Sequence, residues 1–82
     1  MNYKIVNLDA VHFDTIDQIL AHEFVGNYAA DANAIDGIEE FIARPDTSPK
    51  DKRAADKHLC VAAFGMEVDE EDEKYWDELY GR

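Results

Sequence analysis

The most informative stretch of the chain is residues 48–65, which read SPKDKRAADKHLCVAAFG. Ser48 offers a hydroxyl group to the free backbone N–H groups of a helix start, and Pro49 loses no hydrogen bond at the first helical position. Asp51 places a negative charge in the first turn, and Gly65 can end the helix in a left-handed conformation. These signals predict a helix with a sharply defined start.

The predicted helix runs from about residue 49 to residue 64 and has two different sides. The inward side carries Ala55, Leu59, Ala62 and Ala63, with Met66 just beyond. The outward side carries Lys50, Lys52, Arg53 and Lys57. Because the inward side chains are mostly small, we expect a neighbouring helix to approach this one closely.

Upstream, a loop bracketed by Pro45 and Pro49 is the clearest break in the chain, since proline disfavours helix at the residue before it. An earlier helix is expected to begin near Thr15 with Asp14 as its N-cap, and to end at Gly26 and Asn27. Its apolar stripe would consist of Ile16, Ile19, Leu20 and Phe24.

Two segments fit more than one structure. Residues 28–43 have helical spacing on both sides of Asp36 and Gly37, so they form either one bent helix or two short helices, with Asp36 capping the second. Residues 2–8 fit either a strand or a helix, and we expect a short strand there.

The last segment predicts a helix that begins after Asp69 and ends at Gly81, with acidic residues around the positive end of its dipole. Its apolar stripe would be aromatic, formed by Tyr75, Trp76, Leu79 and Tyr80. We therefore predict a mostly α protein, a single domain over residues 1–82. The expected architecture is a compact bundle of four to five short helices, with the short N-terminal β-strand at its start.

The chain is strongly acidic, with 19 Asp and Glu against 8 Lys and Arg and a net charge of −11. The acids form two blocks, in residues 1–43 and 67–82, on either side of a mildly basic segment. Such a charge repels nucleic acid and anionic membranes and attracts basic surfaces. We therefore expect neither direct nucleic-acid binding nor membrane binding.

Motifs for chemistry are missing from the sequence. Cys60 is the only cysteine, which excludes an intramolecular disulfide and favours a reducing compartment. The three histidines lack zinc-ligand spacing, and Asp31, Asn33 and Asp36 do not keep the spacing of a calcium loop. With no secretory signal, no apolar run of membrane-spanning length and no activated nucleophile, we predict a cytoplasmic protein that is not an enzyme and needs no cofactor.

The acidic blocks suggest a function. Carboxylates three or four residues apart on a helix lie ~5–6 Å from each other, close to the ~7 Å between phosphates along a nucleic-acid strand. We predict a non-enzymatic inhibitor that mimics nucleic acid and docks on a basic groove of a nucleic-acid-binding protein or complex. In size and charge the chain resembles, as a class, small anti-CRISPR and anti-restriction inhibitors. The predicted contact residues are Glu67, Asp69, Glu70, Glu71, Asp72, Glu73, Asp77 and Glu78, flanked by Tyr75, Trp76 and Tyr80.

One alternative is a small regulatory or antitoxin-like module that binds another protein through the aromatic patch, with charge serving solubility. Here Tyr75, Trp76 and Tyr80 would matter more than the acids. A third reading is a homodimer, since a core of this size gains stability from a second subunit.

Overall fold

The computed structural model describes residues 7–81. These residues form four α-helices and no strand, which confirms the predicted mostly α bundle. The predicted strand falls on residues 2–6, which lie outside the described part, and on Asn7 and Leu8, which belong to no strand. The elements are α1 (Ile16–Ala21), α2 (Tyr28–Ala43), α3 (Pro49–His58), a π-helical turn that continues α3 (Leu59–Ala63), and α4 (Glu70–Tyr80).

Helix α3 lies at the centre and packs against α1, α2 and α4. Its inward residues Ala55 and Leu59 are buried as predicted, and the small Ala55 is fully buried. Ala62 and Met66 are exposed instead, because the π turn breaks the α-helical register before the chain reaches them. The core comprises Phe13, Ile19, Ala34, Ile35, Ile38, Phe41, Ala55 and Leu59.

Helix α2 is one continuous helix across Gly37, so Asp36 does not cap a second helix. The extended segment before α1 crosses α2 at this point, where the Val11 backbone N–H donates to the Asn33 carbonyl at 3.0 Å. A Cβ atom on residue 37 would lie 2.0 Å from the Val11 carbonyl oxygen. Glycine is therefore required here for close packing and does not end the helix.

The start and end of α1 differ from the prediction. Thr15, and not Asp14, is the N-cap, because its hydroxyl oxygen accepts from the Gln18 backbone N–H. The helix ends at Ala21, so Leu20 is half exposed and Phe24 reaches the core from the loop that follows.

The residues expected to end α1 serve α2 instead. The Asn27 side chain accepts from the backbone N–H groups of the first turn of α2. The buried Asp31 carboxylate accepts from the Val25 and Gly26 N–H groups, at 3.0 and 3.1 Å, and so fixes the α1–α2 loop.

The starts of α3 and α4 match the prediction. Ser48 caps α3 by accepting from the Asp51 N–H at 3.2 Å, and Pro49 is the first helical residue. Asp69 caps α4, and Gly81 follows its last turn with a φ of 79°. The helix predicted up to residue 64 is α-helical only to His58, after which the chain forms the π turn.

Candidate partner-binding surface

Two of the predicted contact acids face α3 and are bound within the protein. Arg53 pairs with Asp77 and, at 3.0 Å, with Glu73, while the Lys57 Nζ lies 2.9 Å from the other Glu73 oxygen. The hydrogen bonds from Lys57 and Arg53 lower the pKa of Glu73. These two carboxylates attach α4 to the basic side of α3. The sequence predicts that this side faces outward, whereas in the structure Arg53 and Lys57 contact α4.

Two further acids cap the start of α4. The Asp69 carboxylate accepts from the Asp72 N–H at 3.1 Å, and the Asp72 carboxylate accepts from the Asp69 N–H at 3.3 Å. This reciprocal arrangement satisfies backbone donors that a helix start otherwise leaves free. Asp69 is exposed and Asp72 half-buried, so both carry charge near the surface while they cap the helix.

The predicted aromatic patch is divided by the fold. Trp76 is 3% exposed, so it stabilises the protein interior and offers almost no surface to a partner. Tyr80 is half-buried, and its hydroxyl donates to Asp56 at 2.8 Å. Burial and this hydrogen bond raise the pKa of Tyr80. Tyr75, by contrast, is 60% exposed.

The outer face of α4 keeps the remaining predicted residues. It is formed by Glu70, Glu71, Lys74, Tyr75, Glu78 and Leu79, all of them exposed, and the exposed Glu67 lies just before the helix. Lys74 lies between the acids at one end of this face and Glu78 at the other, and it reduces the charge density there. The structure therefore places four of the eleven predicted contact residues on this face, with Glu67 just before it and Asp69 and Asp72 at the helix start. The other four lie against the body of the protein.

A second candidate surface is a cleft of about 410 Å³ between α2, the π turn and α4. We call it the α2–α4 cleft; its lining is Glu39, Ile42, Ala43, Asp56, Leu59, Phe64 and Tyr80. Phe64 is half exposed at its mouth. Burial and the nearby Asp36 carboxylate raise the pKa of Glu39.

The sequence contains no pattern that predicts the α2–α4 cleft. Glu39, Asp56 and Phe64 come from three separate segments, and no spacing along the chain links them. The one local signal is that Phe64 directly precedes Gly65, where the sequence predicts the helix to end.

An apolar hollow on the opposite side of α3 holds His58. It measures about 300 Å³ and is lined by Leu20, Ala54, Lys57, His58 and Val61. The His58 ring lies 6.1 Å from the Phe24 ring with the two planes tilted by 43°, and the buried Nε2 atom of His58 has no hydrogen-bond partner among the described residues. Burial and the nearby His22 lower the pKa of His58. The neutral imidazole is therefore the form that this packing accommodates.

Metal and thiol chemistry find no support in residues 7–81. No three His, Cys, Asp or Glu side chains in that range are grouped as metal ligands. Burial and the neighbouring Asp56 raise the pKa of the Cys60 thiol, which disfavours the reactive thiolate. The same part of the chain has no helix long and apolar enough to cross a bilayer.

Comparisons of the chain with known protein families, with curated proteins and with solved structures find no match. The candidate surfaces are therefore defined by their own geometry and charge.

Proposed function

We propose that this protein is a non-enzymatic inhibitor that docks through its acidic surface on a basic groove of a nucleic-acid-handling protein, in the manner of a nucleic-acid mimic. The observation that carries this proposal is the distribution of ion pairs in the folded protein, which leaves most of the acids without a basic partner. Arg44, Arg53 and Lys57 form ion pairs with acids of the chain itself. Most of the 19 acids remain at the surface without such a pair among residues 7–81.

The exposed acids lie on more than one element. Glu70, Glu71 and Glu78 belong to the outer face of α4, whereas Asp9, Asp17 and Glu23 lie in and around α1 and are also exposed. The segment from residue 5 to residue 43 contains no lysine or arginine at all. A partner with an extended basic groove fits this distribution better than a partner that contacts one helix.

Displacement by DNA tests the proposal directly. The immobilised full chain should retain a basic nucleic-acid-binding protein at low salt, and added duplex DNA should release that protein because both compete for one groove. Rising salt should release it as well, since exposed charges are screened within ~8 Å at physiological ionic strength. A captured partner that neither DNA nor salt displaces contradicts the proposal.

Two variants with the same net charge locate the contact. One carries Glu70→Gln, Glu71→Gln and Glu78→Gln, and the other carries Asp9→Asn, Asp17→Asn and Glu23→Gln. We expect the variant whose substituted acids contact the partner to bind that partner at least tenfold more weakly than the parent does. The other variant should lose less affinity. If neither variant weakens binding, the acids do not make the contact.

A module that binds mainly through apolar contacts is the second candidate. The exposure of Tyr75, Leu79 and Phe64 favours it. For such a module, Tyr75→Ala should weaken partner binding more than either charge variant does, and the affinity should persist at high salt.

A further inference from the structure

We propose that the α2–α4 cleft is a docking site for a basic amphipathic segment of a partner protein, with an arginine or lysine held by Glu39 and Asp56 and an apolar side chain packed against Phe64. This inference rests on the proposed function and names the element of the partner that the protein recognises.

Charge complementarity identifies the occupant. Neither Glu39 nor Asp56 has a cationic partner among the residues that the structure describes. Asp56 accepts from the Tyr80 hydroxyl at 2.8 Å, which holds its carboxylate in place within the lining of the cleft. A guanidinium or ammonium group brought to these two carboxylates would form charge-assisted hydrogen bonds that the protein alone does not provide.

The cost of leaving the Glu39 carboxylate unpaired supports the same occupant. Glu39 is partly desolvated and lies near another acid, Asp36, so its ionised form is disfavoured in the free protein. By contrast, Glu40, Glu73 and Asp77 are paired with arginine or lysine, and the buried Asp31 accepts from two backbone N–H groups. An unrelieved charge beside an apolar hollow is typical of a binding site.

The apolar part of the cleft selects an amphipathic segment over a purely basic one. Ile42, Ala43 and Leu59 form its apolar lining, and half of the Phe64 surface is open to solvent. The π turn supports Phe64 in this position, because the Phe64 N–H bonds to the Leu59 carbonyl five residues back, at 3.3 Å. Such turns appear frequently at functional sites.

A synthetic helical peptide of arginine, leucine and alanine, about 14 residues long, serves as the probe because amphipathic helices bind apolar grooves through one face. It is titrated into the isotope-labelled full chain at low salt, beside a copy with citrulline in place of arginine and an oligo-arginine of equal charge. We expect the first peptide to bind at least tenfold more tightly than the other two. The amide signals of Ile42, Phe64 and Tyr80 should shift.

Matched variants make the test specific. Glu39→Gln should weaken the peptide at least fivefold, whereas Asp46→Asn, with the same change of charge at an exposed position outside the cleft, should stay within twofold. Phe64→Ala should weaken it similarly, whereas Tyr28→Ala, at an exposed aromatic residue outside the cleft, should not. Because Phe64 and Glu39 are at or near the surface, thermal unfolding should show these variants to be folded.

The possible failures are distinguishable. If Glu39→Gln and Asp46→Asn weaken the peptide equally, or if its shifts map outside the cleft, the cleft proposal is overturned while the acidic surface still accounts for binding. Binding of the peptide and its citrulline copy with equal affinity at every salt concentration contradicts both proposals. A dimer in sedimentation that Phe64→Ala dissociates would make a second copy the occupant and overturn the basic segment.

Discussion

The α1–α3 body and the α4 helix are held together by different interactions. In the body, the side chains of α1, α2 and α3 form a closed apolar core in which Ile19, Ile38 and Ala55 have no solvent exposure. Helix α4 packs mainly against α3, and Trp76 is the only buried residue of this helix. The helix is also attached to α3 by ion pairs and by the Tyr80–Asp56 hydrogen bond.

One small protein thus combines a part that apolar burial stabilises with a helix that one buried side chain and several ion pairs hold in place. The first should respond to the loss of buried methyl groups and to acid, and the second to the loss of Trp76 and to salt. Four measurements test this division.

The largest effect should come from the core of the body. Ile38→Ala removes a fully buried side chain from α2 and should lower the free energy of unfolding by about 2–5 kcal/mol through lost burial and the cavity left behind. Urea unfolding measures it. Leu20→Ala, at a half-exposed position, is the control and should cost about 1 kcal/mol or less.

The next effect should be confined to α4. Trp76→Ala removes the one buried side chain of that helix and should cost about 3 kcal/mol in its attachment. Hydrogen exchange should show faster exchange of the α4 amides while those of α2 keep their protection. Equal acceleration in both helices would show that α4 and the body unfold as one unit.

The third effect is a loss of stability in acid that belongs to the body. Because the folded-state pKa of His58 lies below its unfolded value near 6.5, the unfolded chain binds more protons between the two values. Stability should therefore fall as the pH drops below about 6.5, with a slope of at most about 1.4 kcal/mol per pH unit from this residue. His58→Leu should remove that slope, whereas His12→Gln, at an exposed histidine, should keep it.

The smallest effect should be the response of α4 to salt. Arg53→Gln removes the ion pairs with Glu73 and Asp77, so the variant should be less stable than the parent at low salt and close to it at high salt. Lys50→Gln is the matched control, since Lys50 is exposed and forms no ion pair among residues 7–81. An unchanged salt response of the Arg53 variant would show that charge does not position α4.

The sequence predicts the parts of this fold that depend on neighbouring residues. The starts of α3 and α4 were identified because Ser48 and Asp69 bond to backbone groups three residues away. The role of Gly37 was not predictable, since it depends on Val11, which is distant in sequence.

The candidate site shows the same contrast between features that depend on neighbouring residues and features that depend on contacts between distant segments. The exposure of Glu70, Glu71 and Glu78 follows from helical spacing, but the capture of Glu73 by Lys57 and Arg53 requires the relative position of two helices. Likewise, the π turn and the cleft beside it arise where α2 and α4 meet the end of α3, and no local pattern marks that meeting.

The central position of α3 also makes the protein suitable for division into two complementary fragments. A cut in the exposed loop at Pro45 and Asp46 would leave α1 and α2 on one fragment and α3 and α4 on the other. The core takes side chains from both fragments, so neither alone can close it. Two other proteins, each fused to one fragment, would allow the fragments to reassemble when they come close together. The acidic charge of the α1–α2 fragment would oppose its self-association.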